Sequence, residues 1–312
     1  MNMKSVPVIY LIFNRPEATR RSHQILREIR PEKLLVVADG PRAHVADDRE
    51  RCLLTRQIAT DIDWPCELQT CFSDVNLGLK QRVASGLSWA FEQVEEAIVV
   101  EDDCLPDPSF FRFAAEMLEK YRQDERIMCI SANNFQQGRR RAPYSYYFSL
   151  FPHCWGWATW RRSWRHFDLG MSRWPELRDG GWLRDMIQDK AGLSYWHQTF
   201  EGCHRGMVNS WATAWTFSCW AQNGLTLLPE VNLVRNIGFG KDGTNTTSSD
   251  NHLSAITSSS LQFPLRPPPY VLRDTQADHA TQLLVYNPAP PPPLAQRILR
   301  KLRRTFSSSP SR

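Results

Sequence analysis

The sequence predicts an α/β protein in which helices flank a mostly parallel sheet, and three observations support this. Short apolar runs recur over residues 6–105, segments with helical spacing separate them, and turn residues follow most of the runs. Four strands that alternate with three helices form βαβ units, and their right-handed crossovers make the strands parallel. An apolar share of 42% supplies a large core for such a sheet.

The elements of the first half follow this pattern in order. The predicted strands cover residues 6–13, 33–38, 66–72 and 96–100. The helices between them cover residues 17–29, 46–62 and 75–94, the last of which begins as a loop. The pattern then predicts a helix at residues 106–124 and a strand at 127–131. An aromatic segment covers 144–168, and a helical Trp-rich region continues to 223. Another strand is predicted at 225–234 and a mobile polar loop at 236–251.

Composition divides the chain further, because it becomes Pro-rich from Phe263. We therefore expect one domain at residues 1–262, with a nucleotide-binding half at 1–105 and an acceptor half at 106–262. A Pro-rich extended segment at 263–293 and a basic tail at 294–312 follow it.

The net charge of +5 belongs to the tail. Residues 294–312 hold six basic residues and no acid, so the rest of the chain carries a net charge of −1. The main domain therefore gives no indication of nucleic-acid binding. Apolar residues at helical spacing in this tail predict a basic amphipathic helix that binds an anionic membrane surface, and a disordered solubilising tail is the alternative.

Other features bear on the cellular compartment. We find no apolar run of the roughly 18 residues that a membrane span needs, and no signal-peptide pattern. The eight cysteines include no CxxC pair, which predicts reduced thiols in a cytoplasmic protein. The basic tail predicts that this protein lies at the inner face of the membrane. A Golgi-type enzyme cut free of its anchor would look similar.

Three acids, Glu101, Asp102 and Asp103, follow the fourth strand. Ligands of open α/β sheets bind at the carboxyl ends of the strands, so these side chains would project into that crevice. Adjacent carboxylates repel one another unless a cation or water compensates, and a divalent ion leaves coordination positions for phosphate oxygens. A helix N-cap in a solvated turn is the alternative.

Arg15 and Asp39 follow the first two strands and would share this edge. Arg15 could pair with a phosphate, and Asp39 could accept hydrogen bonds from a base. The alternative for Asp39 is a turn residue, because Asp-Gly-Pro is typical turn chemistry. GxGxxG occurs only at residues 238–243, inside the predicted polar loop and not between a strand and a helix, and GxxxxGK[ST] is absent. Metal and arginine would therefore have to meet the phosphate charge. Together these residues favour a nucleotide site.

The segments HCWGWATWRRSWRHF and WATAWTFSCW concentrate tryptophan in the second half. Aromatic faces can stack on sugar rings, and core packing is the alternative for each tryptophan. The histidines show no HExxH spacing, which argues against a catalytic zinc site of that type.

Six motifs occur in order over about residues 6–250: IFNRPEATRR, VVADGP, IVVEDDCLPDPSFFRF, MCISANN, FPHCWGWATWRRSW and LLPEVNLVRNIGFGKDGTNT. Through them the chain resembles the GT-A-fold glycosyltransferases of the N-acetylglucosaminyltransferase I type and their bacterial haemolysin-like and capsular polysaccharide transferase relatives. The resemblance implies an inverting hexosyl or N-acetylhexosaminyl transfer from a nucleotide sugar, usually UDP-linked. It also implies Mn²⁺ (or Mg²⁺) at the diphosphate and a glycan or lipid-linked acceptor in surface polysaccharide synthesis.

The resemblance also implies roles for the strand-end residues. Asp103 would be the metal ligand, Glu101 and Asp102 would lie near the base and ribose, Asp39 would face the base, and Arg15 would lie in the nucleotide pocket. The polar loop at 240–250 would close over the donor.

One position departs from the family pattern. Relatives often carry an Asp directly after the Trp of NSWATAWTFSCW, where this chain has Ala212, and an acid in that region is the general base in the eukaryotic branch. Inverting transfer needs a carboxylate that accepts the acceptor hydroxyl proton. Asp242 is the first substitute, followed by Glu201 and Asp185. A catalytically inactive sugar- or nucleotide-binding scaffold and a sugar nucleotidyltransferase are therefore the alternatives to a glycosyltransferase.

Overall fold

The computed structural model describes residues 5–239 and 252–286. Its strands are β1 (Val8–Ile12), β2 (Lys33–Ala38), β3 (Glu67–Phe72), β4 (Glu96–Glu101), β5 (Cys104–Pro106), β6 (Ile127–Ser131), β7 (Tyr146–Ser149), β8 (Trp157–Trp160), β9 (Leu225–Pro229) and β10 (Val234–Asn236). Its helices are α1 (Pro16–Ile29), α2 (Asp48–Ala59), α3 (Leu79–Gln93), α4 (Pro108–Lys120), α5 (Arg161–Trp164), α6 (Trp174–Asp179), α7 (Leu183–Met186), α8 (Lys190–His204), α9 (Trp211–Ala221) and α10 (Thr275–Thr281). A 3-10 turn covers His252–Ala255, and a π-helical turn covers Gln282–Tyr286.

Eight of these strands form one sheet in the order β3-β2-β1-β4-β8-β6-β9-β7. The first four are parallel, β8 runs antiparallel between β4 and β6, β9 is parallel to β6, and β7 is antiparallel at the edge. A separate antiparallel pair joins β5 and β10. The predicted α/β class, with a mostly parallel sheet flanked by helices, is confirmed.

The central strands are buried on both faces, which explains their nearly continuous apolar sequences. Because successive side chains of a strand point to opposite faces, Tyr10 joins one core cluster and Ile9 joins the other. The first cluster includes apolar residues of α1 and α4, and the second includes those of α3, α8 and α9. The sheet is therefore the middle layer of a three-layer molecule.

Three strands lie where no strand was predicted: β5, and β7 and β8 inside the aromatic segment at 144–168. The β8 strand is four residues long, and all four are buried. So short a strand shows no alternation of polar and apolar residues, and alternation is the signal that identifies strands. The helical Trp-rich region therefore begins only after Trp160, with α5 to α9. The halves divided at residue 105 share this sheet, because β8 pairs with β4.

The extended segment predicted at 263–293 is corrected by the structure. It contains α10 and the π-helical turn, and Ala277, Asp278 and Gln282 are buried in them. Residues 240–251 of the predicted loop and the tail at 294–312 lie outside the described residues. Within the described ranges, no helix has the length and apolar character needed to cross a membrane.

Candidate functional site at the carboxyl edge of the sheet

Parallel strands bring the carboxyl ends of β1, β2 and β4 to the same edge of the sheet. Arg15 lies three residues after β1, Asp39 follows β2 directly, and Glu101 is the last residue of β4. The structure brings Arg15 into contact with the two acids that follow Glu101. The prediction that these strand ends share an edge therefore agrees with the topology.

The Arg15 guanidinium pairs with two carboxylates. Its Nη1 lies 3.2 Å from Asp102 Oδ1 and 2.6 Å from Asp103 Oδ2. Asp102 Oδ2 in turn accepts a hydrogen bond from the backbone N–H of Phe13 at 3.0 Å. Asp102 therefore holds the segment after β1 against the end of β4.

Burial raises the pKa values of Glu101 and Asp102. Burial, followed by the charges of Asp103 and Asp102, raises the pKa of Glu101 to about 8. Burial raises the pKa of Asp102 to about 6, although the charge of Arg15 opposes this effect. Glu101 therefore favours its neutral form near pH 7, and a further cationic group at this edge would favour its ionised form.

Glycine is required where the chain passes over Asp103. The pairing of β10 with β5 carries residues 236–238 across the acids, and the Ile237 N–H donates to the Asp103 carbonyl at 2.8 Å. A Cβ atom on Gly238 would overlap the Asp103 carboxylate. Residues 236–238 therefore pass closely over Asp103, shortly before the segment that lies outside the described residues.

The contacts of Asp103 show what kind of cation site it could form. Among the residues the structure describes, no three His, Cys, Asp or Glu side chains converge as a metal-binding group. Asp103 Oδ2 binds Arg15, whereas Oδ1 has only the Cys104 thiol as a described hydrogen-bond donor, at 3.5 Å. Mg²⁺ commonly uses one or two carboxylates and completes its shell with water and substrate phosphates. Asp103 Oδ1 fits a site of that kind as a single protein ligand.

Asp39 is engaged in the turn that precedes α3. Its Oδ1 accepts hydrogen bonds from the backbone N–H groups of Gly40 and Leu77, and its Oδ2 accepts from Gly78 N–H and Asn76 Nδ2. These four bonds, of 2.9–3.1 Å, occupy both oxygens. The contacts match the turn-residue alternative, and the base-facing role stays a prediction.

Of the three base candidates, the structure describes Glu201 and Asp185, and no described contact joins either of them to this edge. Glu201, on α8, accepts hydrogen bonds or ion pairs from Trp174, Arg178 and Arg205. The hydrogen bond from Trp174, more than any other interaction, lowers the pKa of Glu201. A lower pKa makes Glu201 a weaker base. Asp185 is exposed on α7. Asp242 lies outside the described residues, so the base assignment stays a prediction.

The tryptophans lie mostly in the core. Nine of the twelve are buried, which favours the packing alternative over stacking on sugars: Trp64, Trp157, Trp160, Trp164, Trp174, Trp196, Trp211, Trp215 and Trp220. Trp211 stacks on Trp157, with ring centroids 5.8 Å apart. Ala212 packs against the same core cluster.

Sequence reasoning missed the residues that order the loops after β1 and β2. Asp48 is fully buried and accepts hydrogen bonds from Asn14 and from the backbone and guanidinium of Arg42. Its hydrogen bonds with Arg42 hold the pKa of Asp48 well below its usual range. The only signal is an acid at a helix start close to an arginine, and that pattern also fits an exposed cap.

Comparisons with known proteins give weak structural likenesses. No protein-family model and no curated protein matches the sequence. Among solved structures, a cytidylyltransferase from Leptospira borgpetersenii is 12% identical to this chain, with a TM-score of 0.33. The alignment covers 56% of this chain and 67% of the cytidylyltransferase. A mannose-1-phosphate geranyltransferase from Thermus thermophilus is 11% identical, with a TM-score of 0.32 and coverage of 72% and 73%. A UDP-glucose pyrophosphorylase bound to UDP-glucose is 11% identical, with a TM-score of 0.28 and coverage of 47% and 63%. These TM-scores are below 0.5, so the fold assignment here depends on the strand order alone.

Proposed function

We propose that this protein is a glycosyltransferase that binds a nucleotide sugar at the carboxyl edge of β1 and β4. UDP is the nucleotide that we propose first. The observation that supports this most is the group formed by Arg15, Asp102 and Asp103. It lies where open α/β sheets bind ligands, and it combines a guanidinium with carboxylates. The motif resemblance of the sequence supports the same activity.

In this reaction the bond between the anomeric carbon and the diphosphate oxygen breaks, and its electron pair remains on the diphosphate. Arg15 would stabilise that charge, because two aspartates already orient its guanidinium and a planar fork matches phosphate oxygens. A divalent ion held by Asp103 would supply further positive charge at the same diphosphate. The acceptor hydroxyl loses its proton to a base, for which we propose Asp242 first, then Glu201 and Asp185.

A sugar nucleotidyltransferase is the second candidate, because the titles of similar solved structures name a cytidylyltransferase and a UDP-glucose pyrophosphorylase. Such an enzyme would normally have a Gly-rich phosphate loop with a lysine near the N-terminus. Here β1 ends at Ile12 and α1 begins at Pro16, and the three residues between them include neither glycine nor lysine. This short connection favours the glycosyltransferase.

The two activities release different products, so one assay separates them. Purified protein is incubated with a panel of nucleotide sugars and Mn²⁺ or Mg²⁺, and separately with nucleoside triphosphates and sugar 1-phosphates. We expect release of a nucleoside diphosphate in the first reaction and no pyrophosphate in the second. Pyrophosphate release without donor hydrolysis would support the nucleotidyltransferase and contradict our proposal.

A variant connects this activity to the edge. We expect Asp103→Asn to lower donor hydrolysis by about 100-fold, since the charge at the leaving diphosphate would change. Asp63→Asn is the matched control, because Asp63 is exposed. Its ion pair is with Arg27, and it has no described contact with the acids at the edge. Circular dichroism would check that both variants are folded. Equal activity of the two variants would contradict the assignment.

We also propose a cytoplasmic location, with the basic residues of 294–312 binding the inner face of the membrane, where surface polysaccharides are assembled. The supporting observation is the helical spacing of apolar and basic residues in that tail.

A further inference from the structure

A cavity lies at the other end of the same sheet edge. Its volume is about 440 Å³, which falls within the range typical of small-molecule sites. Its lining includes Asn134, shortly after β6, and Glu230, directly after β9. The lining also includes residues of β7 and of the segment that leads into α10.

The lining carries a net positive charge. It contains four arginines and two acids: Arg139, Arg140, Arg141, Arg273, Glu230 and Asp274. Arg140 pairs with Glu230, and Arg141 pairs with Asp274, so the acids are already neutralised. Arg273 pairs with Asp278 at 2.6 Å.

Arg139 differs from the other three arginines. It is exposed, and its guanidinium has no ion pair or side-chain hydrogen bond within the described ranges. The turn before it presents it to the cavity, since Gln137 and Gly138 both have positive φ, at 53° and 78°. The Arg139 N–H donates to the Gln136 carbonyl at 3.0 Å and closes this turn. A guanidinium in such a position suits an oxyanion, because its planar fork matches a carboxylate or a phosphate.

Tyrosines supply the rest of the cavity wall. Tyr144 and Tyr270 form an edge-to-face pair with centroids 6.1 Å apart, and Tyr270 is 53% exposed. The Tyr147 hydroxyl is buried, and Gln136 is the side chain beside it among the described residues, without a hydrogen bond of normal geometry. A sugar ring suits such a wall, since its C–H face packs on an aromatic ring and its hydroxyls pair with buried polar atoms.

The cavity is within reach of the acidic edge. The strands β4, β6 and β9 run in the same direction, so their carboxyl ends lie on the same side of the sheet. Only β8 separates β4 from β6, and neighbouring strands are about 4.8 Å apart. The cavity extends from the end of β6 past β9 to β7, which are two, three and four strand spacings from β4, so roughly 10–20 Å separates it from the acids. A donor at one site and an acceptor sugar at the other could meet between them.

We propose that this cavity binds an acidic sugar residue of the acceptor, one that carries a carboxylate or a phosphate group. Arg139 contacts the oxyanion, and Tyr270 packs on the ring. The acceptor role rests on the proposed function, whereas the preference for acidic sugars does not.

The test is calorimetric titration of the full-length protein with three probes: a glucuronate-containing disaccharide, glucose 6-phosphate and neutral cellobiose. We expect at least one acidic probe to bind about 10-fold more tightly than cellobiose. A stronger response to the disaccharide identifies a carboxylate ligand, and a stronger response to glucose 6-phosphate identifies a phosphate ligand.

Variants locate the binding. We expect Arg139→Gln to remove the preference for the acidic probe and Tyr270→Ala to weaken all binding, about 10-fold in each case. Arg173→Gln is the matched control, since Arg173 is exposed and lies outside the cavity lining. Equal affinity for acidic and neutral probes, or binding unchanged in both variants, would overturn the proposal.

Donor hydrolysis separates this proposal from the proposed function. Hydrolysis needs no acceptor, so it tests the proposed function independently of the cavity. Should the wild-type protein bind acidic sugars through Arg139 and hydrolyse no nucleotide sugar, the binding site stands and its acceptor role is overturned.

Discussion

At the scale of single residues, Arg15 stabilises the fold in addition to its proposed role in binding the nucleotide. It is the cation that contacts Asp102 and Asp103, and both of these side chains are buried. Removing one partner from a buried ion pair costs about 3–5 kcal/mol, so an Arg15 substitution would disturb folding and binding together. Asp103→Asn is the cleaner probe, because it keeps the size of the side chain.

His153 provides a residue-scale prediction about pH. It is buried among aromatic rings, with the Phe135 centroid 4.6 Å away, and burial lowers its pKa to about 3. Because the pKa is lower in the folded than in the unfolded protein, the stability from neutral His153 is present above pH 6.5. It is lost as the pH falls towards 3. We therefore expect the urea midpoint to fall with acidification, and to fall less steeply in His153→Gln.

The control for this prediction is His44→Gln, because His44 is exposed. It should keep the pH dependence of the wild-type protein. A His153→Gln protein with the same dependence as wild type would contradict the assignment of this effect to His153.

Strand-end position was enough to predict which residues share the site edge, but not which side chains pair. Arg15 and the acids lie at one edge because parallel strands end together. Their ion pair, and the four hydrogen bonds of Asp39 to the turn at 76–78, depend on long-range folding of loops. Loop geometry has no periodic signal in a sequence, so the pairing could not be predicted.

At the scale of elements, β8 joins the two parts of the sheet. It runs antiparallel between β4 and β6, and the chain enters it through Gly156, whose φ is +64°. The Gly156 carbonyl accepts a hydrogen bond from Ala132 N–H at 2.8 Å. The strand was missed because four buried aromatic and small residues fit a helix equally well. The longer strands β1, β2 and β4 were predicted because apolar runs bounded by turns identify them.

Packing of α3 on β2 gives a prediction at the element scale. A Cβ atom on Gly86 of α3 would overlap the Val37 side chain of β2. Replacing a helical glycine with alanine gains about 1 kcal/mol in helix propensity, whereas overpacking a core costs about 1–3 kcal/mol. We therefore expect Gly86→Ala to lower the free energy of unfolding, as measured by urea denaturation.

The double variant Gly86→Ala/Val37→Ala tests the cause. Relief of the overlap should make the pair less destabilised than the sum of the two single variants. Strictly additive losses would contradict the close contact between α3 and β2.

At the scale of the whole molecule, one sheet carries both proposed sites. The acids lie at the end of β4, and the arginine- and tyrosine-lined cavity lies beyond the ends of β6 and β9. The first site was predicted from strand ends, and its three acids are contiguous in the sequence. The second combines residues 134–148 with residues 230 and 268–280, which only the folded chain brings together. The run Arg139–Arg140–Arg141 beside tyrosines was its one local signal.

The central claim is that the carboxyl edge of β1 and β4 binds a nucleoside diphosphate. Calorimetric titration with UDP, in the presence and absence of Mn²⁺, measures this without depending on the acceptor or the sugar. We predict that the wild-type and Asp63→Asn proteins bind UDP with equal affinity, and that Asp103→Asn binds it about 10-fold more weakly. Absence of UDP binding under both conditions, or unchanged affinity in Asp103→Asn, would contradict the account.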